Sequence, residues 1–242
     1  MRILIIRHGD PDYSIDSLTE KGWREAEYLA EKLSGEGLDA IYCSPLGRAR
    51  DTAGCTLKRT GKTAKTLDWL REFQAPIFDK NTKKLCGPWD LMPAFFTKVD
   101  DFYHPEKWAD TDFMRSGLRV KQEYNRVGKG LDKVLKAHGY ERKGRYYKAV
   151  HPNRDTIVFF CHFGVECVML SHLLGISPVP LWQGFCAAPT SVTTLYTEER
   201  EKGIAVFRCA SFGDISHLYA HNEPPAFAAR FCETFDCKEE RH

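Results

Sequence analysis

The sequence predicts an α/β fold: a three-layer α/β/α sandwich around a mostly parallel sheet, with an insertion capping the carboxyl ends of the strands. Three observations predict it. Short apolar runs, "RILII" at 2–6, "DAIYC" at 39–43 and "TIVFFC" at 156–161, have the length and branched or aromatic content of buried strands. A helical pattern follows each of them. Between about 73 and 153 the rhythm breaks into irregular sequence rich in aromatic residues, proline and lysine. The chain therefore reads as a single domain, 1–242, with a cap insertion at about 73–153.

Each element has its own warrant. In the first helix, "SLTEKGWREAEYLAEKL" at 17–33, Thr19 is the expected N-cap. Trp23, Ala26, Ala30 and Leu33 recur at spacings of three or four and form one face, and Gly35 and Gly37 end it. "SPLGRARDTAGCTL" predicts a second helix with Ser44 as N-cap and Pro45 as its first residue. "KTAKTLDWL" ends in a third strand. Within the irregular middle, a long helix is expected from about Asp112 to His138. Regular order returns with the strand at 156–161, a helix from about 164 to 174, and a pair of strands at 191–197 and 203–210.

Composition narrows the function classes. The 242 residues are 43% hydrophobic and 28% charged with formal net charge +2, so neither nucleic acid nor a membrane is the expected partner. No apolar run reaches membrane-spanning length and the first strand is entered without a signal-peptide apolar region, which makes a cytoplasmic location the expectation. The nine cysteines form no C-x-x-C pair, so reduced thiols are expected rather than disulfides or zinc, with Cys232 and Cys237 the pair placed to clip the tail. Oligomeric state is left open.

The chemistry gathers at strand ends, where open parallel sheets hold their ligands. Arg7 and His8 leave the first strand there, and His162 leaves the strand 156–161. Arg48 and Arg50 fall in or just beyond the first turn of the second helix, an unfavourable place for cations unless an anion sits nearby. They lie about 200° apart around a helix, so only one addresses a given pocket well. Arg7, Arg48 and two histidines suit a phosphoryl group. Guanidinium forks match phosphate oxygens, and neutral imidazole is a nucleophile toward phosphorus. A leaving alkoxide also needs a proton from a nearby carboxylic acid.

"RHG" ending the first strand, "SPLGRARDTA" opening the second helix and "CHFG" after the later strand resemble the histidine phosphatase superfamily, the phosphoglycerate-mutase-like, phosphohistidine-forming group. "SFGDISHL" at 211–218 resembles its C-terminal end. The resemblance implies that His8 is the nucleophile, that Arg7 and Arg48 bind phosphate oxygens, that His162 completes the pocket as a further donor, and that no metal or other cofactor takes part. "LRE" at 70–72 matches the stretch that carries the family's proton donor, implying Glu72, while Asp90 in "GPWD" is the reserve. The implied activity is metal-independent hydrolysis of a phosphomonoester of a small molecule through phospho-His8. A phosphoglycerate-mutase-type phosphotransferase and a non-catalytic phosphate-binding module are the alternatives.

Departures from the family pattern set further expectations. "HFG" stands where relatives have "HGG", so Phe163 narrows one wall of the pocket or makes it apolar. Asp10 and Asp12 in "DPDYS" either repel some substrates or order Arg7. Trp89, Phe95, Phe96, Tyr103 and Trp108 are candidates to line a cap over the site, with Lys80, Lys83 and Lys84 placed to meet additional negative charge. The competing expectation is that those rings pack a small core of their own and the lysines face water.

Overall fold

Strand β1, Arg2–Arg7, divides its side chains between two cores. In the computed structural model, which describes residues 1–79, 84–117, 119–226 and 234–237, Ile3 and Ile5 face one side of the sheet and Leu4 and Ile6 the other. Strand pleating requires this alternation, and it makes the sandwich three-layered. Helices α1 (Glu20–Ser34) and α2 (Gly47–Thr60) cover the Leu4 face. Helices α3 (Val120–Ala137) and α4 (Phe163–Leu174) cover the Ile3 face.

The remaining strands of the sheet are β2 (Ala40–Cys43), β3 (Lys65–Thr66), β4 (Tyr140–Lys143), β5 (Tyr146–Ala149), β6 (Thr156–Cys161), β7 (Val192–Glu201) and β8 (Ile204–Asp214). Their order across the sheet is β3, β2, β6, β1, β7, β8, β5, β4. From β3 to β1 neighbours run parallel; from β1 to β4 they run antiparallel. The sheet is thus mixed, with its parallel half at the core. Tight turns explain the other half, because β7 and β8 are joined through Gly203 at φ 80°.

Several boundaries differ from the sequence-based expectation. Helix α1 has Thr19 as its N-cap, as read, but its buried face is Ala26, Leu29, Ala30 and Leu33, and Trp23 is exposed. Helix α2 begins at Gly47 with Leu46 as an N-cap that offers no side-chain hydrogen bond; Ser44 and Pro45 precede it. The third strand is only Lys65–Thr66, before a 3₁₀ turn at Asp68–Leu70. The expected 112–138 helix is two helices, Asp112–Ser116 and α3, with Arg119 in the left-handed region at φ 76° where α3 begins.

The stretch 73–153 serves two structural layers. Its second half, α3 with β4 and β5, extends the sandwich. Its first half holds a hairpin, Ile77–Asp79 with Lys84–Cys86, and short helical turns. Lys80, Lys83 and Cys232 lie outside the described residues. Cys43, Cys161 and Cys167 are buried free thiols. Among the described residues no helix is long and apolar enough to cross a membrane.

Candidate active site

β1 and β6 pair in parallel with Arg7 opposite Cys161, and the His8 N–H donates to the Cys161 carbonyl at 3.0 Å. Residues just past the two strand ends therefore emerge side by side. The rings of His8 and His162 have centroids 5.1 Å apart. Below them, a cavity of about 700 Å³ is lined by Arg7, His8, Arg48 and Glu72, with Trp89 and Phe163 among its walls.

The protonation state of His8 follows from its neighbours. Its Nδ1 lies 2.7 Å from the Gly9 carbonyl oxygen, which can only accept, so the proton is on Nδ1 and Nε2 keeps its lone pair. Burial, then the charges of Arg7 and Arg48, push the ring's pKa well below the ordinary histidine value. The His8 ring is neutral and its tautomer is fixed. Its carbonyl accepts from Thr190 N–H at 3.1 Å, and the Thr190 hydroxyl meets His217 Nε2 at 2.9 Å. The C-terminal "SFGDISHL" thus buttresses the His8 backbone from across the sheet.

His162 is completely buried behind His8 and is not among the residues lining the cavity. Its Nε2 is 2.8 Å from Ser44 Oγ, which also accepts from Leu46 N–H at 3.3 Å. Ser44 and His162 Nε2 form one hydrogen bond, and His162 Nδ1 has no partner among the described residues. Burial first, then His8, Arg48 and Arg7, hold His162 neutral. Ser44 is therefore a ligand of His162, which is why it does not cap α2.

The cap of α2 comes from elsewhere. Asp16 accepts from Gly47 N–H at 2.7 Å through Oδ2 and from Arg48 Nη1 at 2.6 Å through Oδ1. Gly47 is needed there, because a Cβ would lie 2.0 Å from the Asp16 carbonyl oxygen. Some burial opposes ionisation of Asp16, but the hydrogen bonds from Gly47 and Arg48 prevail and keep its carboxyl below the usual range. Asp10 and Asp12 do not order Arg7: Asp10 accepts from the Thr19 hydroxyl and Asp12 from Ser14. Arg50 is exposed, two residues round the helix from Arg48.

Arg7 is 6% exposed, and its Nη1 donates to the Ala187 carbonyl. Arg7 Nε and Arg48 Nε are buried donors with no partner among the described residues. A buried and a half-buried guanidinium lining one cavity are chemically matched to an anion with several oxygens.

Glu72 sits at the N-terminus of α4. Its Oε1 accepts from Phe73 N–H at 2.7 Å and Val165 N–H at 3.0 Å, and Oε2 accepts weakly from Gly164 N–H at 3.3 Å. Burial raises its pKa, opposed by those amides and by Arg7. The carboxyl is deep yet open to the cavity, so a bound substrate that displaces water drives it further toward the acid form. Next along α4, Glu166 is fully buried, and burial raises its pKa to about 8 against the opposing influence of the Thr193 side chain and Arg7.

Asp90 also lines the cavity, at its exposed part. Of the proposed cap rings, only Trp89 does. Phe95 packs on Phe113 and Phe102, Trp108 on Trp182, and Tyr103 is exposed. Lys84 is exposed. Tyr13 and the segment holding Trp182, Gln183 and Phe185 complete the wall and were not singled out from the sequence. The signal for Trp182 and Phe185 is the aromatic content of "LWQGF" just before β7.

Residues 3–209 match the model of the histidine phosphatase superfamily, branch 1. The chain is 25% identical over 218 residues to phosphoserine phosphatase 1 of Hydrogenobacter thermophilus, covering 84% of this chain and 90% of that one. It is 22% identical over 195 residues to adenosylcobalamin/alpha-ribazole phosphatase of Escherichia coli, covering 75% and 83%. A solved phosphoserine phosphatase from Entamoeba histolytica superposes with a TM-score of 0.61 at 20% identity, covering 90% and 98% of the two chains, and shows the shared fold.

Proposed function

The chain belongs to the histidine phosphatase superfamily and is a phosphatase of that family, and from this premise we propose that it hydrolyses a small phosphomonoester through phospho-His8 without a metal. The observation that carries this reading is the His8 ring, whose proton is committed to Gly9 and whose Nε2 lone pair is left on a ring lining the same cavity as Glu72. In the first step Nε2 attacks phosphorus, the P–O bond to the alcohol breaks, and protonated Glu72 gives its proton to the leaving oxygen. In the second, water attacks phospho-His8, the Glu72 carboxylate takes a proton from it, and the N–P bond breaks to release phosphate.

Arg7 and Arg48, which line the cavity, hold the equatorial oxygens, and His162, buried against the His8 ring and held neutral, completes the pocket from behind that ring. Trp89 and the 87–117 stretch act as the cap within one domain. Asp90, near the solvent-exposed part, is not the proton donor in this scheme. A cytoplasmic location belongs to the same reading, supported by the buried free thiols of Cys43, Cys161 and Cys167.

The test is a panel of phosphorylated metabolites assayed with EDTA present, beside His8→Ala. Turnover is expected for the wild type only, with an acid-labile phosphohistidine on His8 in quenched samples. Comparable turnover by His8→Ala would end this reading. A long-lived phosphoenzyme that interconverts phosphoglycerates would replace it with a mutase.

A further inference from the structure

We propose that the substrate's alcohol carries a planar ring and no carboxylate, so that the enzyme acts on phosphomonoesters of ring-bearing alcohols rather than on small phosphorylated acids. This rests on the hydrolase reading above and names the substrate class of that same site.

The first argument is where the leaving group must go. A Cβ on Gly164 would lie 2.7 Å from Glu72 Oε1 and 2.6 Å from Trp89 Cζ3, so the acid and the indole flank one point. Whatever is bonded to the oxygen that Glu72 protonates meets Trp89 next. The Trp89 indole packs directly on Gly87, where a Cβ would lie 2.8 Å from the ring. The Gln183 side chain also donates to the Pro88 carbonyl at 2.7 Å, tying the turn that carries Trp89 to the opposite wall.

The second argument is size and surface. A cavity of about 700 Å³ suits a ligand of drug size, larger than a three-carbon phospho-acid. Its lining carries the rings of Trp89, Phe163, Trp182 and Phe185 beside Gln183, Cys186 and Ala187, with Tyr13 against Arg48. Phe185 is braced edge-on by Phe212 at 4.9 Å, and Trp182 donates through Nε1 to the Gly164 carbonyl at 3.1 Å. Braced rings around an open slot favour stacking with a planar partner.

The third argument is charge. Among the described residues the arginines of the lining, Arg7 and Arg48, both serve the phosphoryl end, and Arg48 already shares its charge with Asp16. The outer lining offers Asp90 and the negative faces of aromatic rings. Among the described residues the lining offers a substrate carboxylate no cation beyond Arg7 and Arg48.

The experiment compares kcat/KM for adenosine 5′-monophosphate and 3-phenylpropyl phosphate with that for O-phosphoserine, 3-phosphoglycerate and glycerol 3-phosphate, all esters of aliphatic alcohols. Ring-bearing substrates are expected to be favoured roughly a hundredfold, the discrimination that two stacked rings supply. In Trp89→Ala the ratio of 3-phenylpropyl phosphate to glycerol 3-phosphate is expected to fall about tenfold, and Trp89→Phe restores most of it. Phe185→Ala tests the same ratio from another wall should Trp89→Ala not fold. Equal or better hydrolysis of the phospho-acids, with turnover still abolished by His8→Ala, overturns the substrate class and leaves the hydrolase reading standing. Absence of hydrolysis of every ester removes both.

Discussion

Asp16 holds Arg48 and the start of helix α2 with one carboxylate: Oδ1 takes the guanidinium at 2.6 Å and Oδ2 takes the Gly47 amide at 2.7 Å. The arginine that addresses the cavity is thus aimed by a residue from a different loop. Tyr13, from the same loop, lies beneath the guanidinium at 5.4 Å. Asp16→Ala removes a charge-assisted hydrogen bond and the external cap together. KM and the inhibition constant for inorganic phosphate are expected to rise about tenfold, equivalent to ~1.4 kcal/mol, with a smaller change in kcat. Unchanged phosphate inhibition would mean that packing on Tyr13 alone aims Arg48.

The two carboxylates that cap helices at the site show why the pH profile should be bell-shaped. Asp16 is held ionised by Arg48 and Gly47, whereas burial pushes Glu72 toward its acid form. In the proposed scheme activity needs His8 without a second proton and Glu72 with one. Because the His8 pKa is depressed, the acid limb of kcat/KM lies below the ordinary histidine range. Because the Glu72 pKa is raised, the alkaline limb lies above the ordinary glutamate range. Glu72→Gln is expected to abolish the alkaline limb and lower kcat for alkyl phosphates by 10²–10⁴, on the order of the usual contribution of a general acid. 4-Nitrophenyl phosphate, whose leaving group needs no proton, should lose much less. An equal loss for both esters would exclude Glu72 as the acid and move the role to Asp90.

Stability should carry a separate signature from Glu166. Its folded-state pKa of about 8 lies above the unfolded carboxyl value, so between those limits the folded state keeps a proton that the unfolded state releases. The stabilisation is complete at pH below the unfolded value and is lost as pH rises toward 8. Glu25, raised to about 7 chiefly by burial, adds a slope of the same sign over a shorter span. His8 and His162, held neutral in the fold, add a slope of opposite sign below the ordinary histidine range, so the signature is a difference between proteins: the Tm of Glu166→Gln should rise relative to that of the wild type from pH 5 to pH 8. Equal slopes in the two proteins would show that Glu166 does not carry the buried proton.

What was legible in the sequence follows from how local each signal is. Strands β1, β2 and β6 declare themselves through short apolar runs, and Arg7, His8 and His162 come with them as the residues at their ends. Thr19 caps a helix three residues away and was read correctly. Ser44 was misread because its partner, His162, is 118 residues distant. Asp16 had no signal for the same reason: nothing local says that an exposed loop carboxylate will cap α2. Phe95 and Phe113 illustrate a different limit, since aromatic content does not say whether a ring faces a cavity or another ring. The wall carrying Trp182 and Phe185 depended on the antiparallel pairing of β7 with β1, which brings that segment over the strand end.

Gly164 provides the sharpest test of the site as a built object. It is the second residue of α4, and its amide donates to Glu72. A methyl group there would meet Trp89 on one side and the Glu72 carboxylate on the other, at distances real side chains do not reach. Trp89 also packs on Gly87, so the added methyl presses on the Glu72 carboxylate, 2.7 Å away, as well as on the indole. A shift of even 1 Å in a proton donor costs a large factor in rate, on the order of 10². Gly164→Ala is therefore expected to fold, to keep its phosphate inhibition constant because Arg7 and Arg48 are untouched, and to lose about a hundredfold in kcat on alkyl phosphates. Loss of phosphate binding in parallel with kcat would show instead that the substitution disturbs the strand ends as a whole. Full activity would show that Trp89 moves, and with it the wall on which the ring-stacking argument stands.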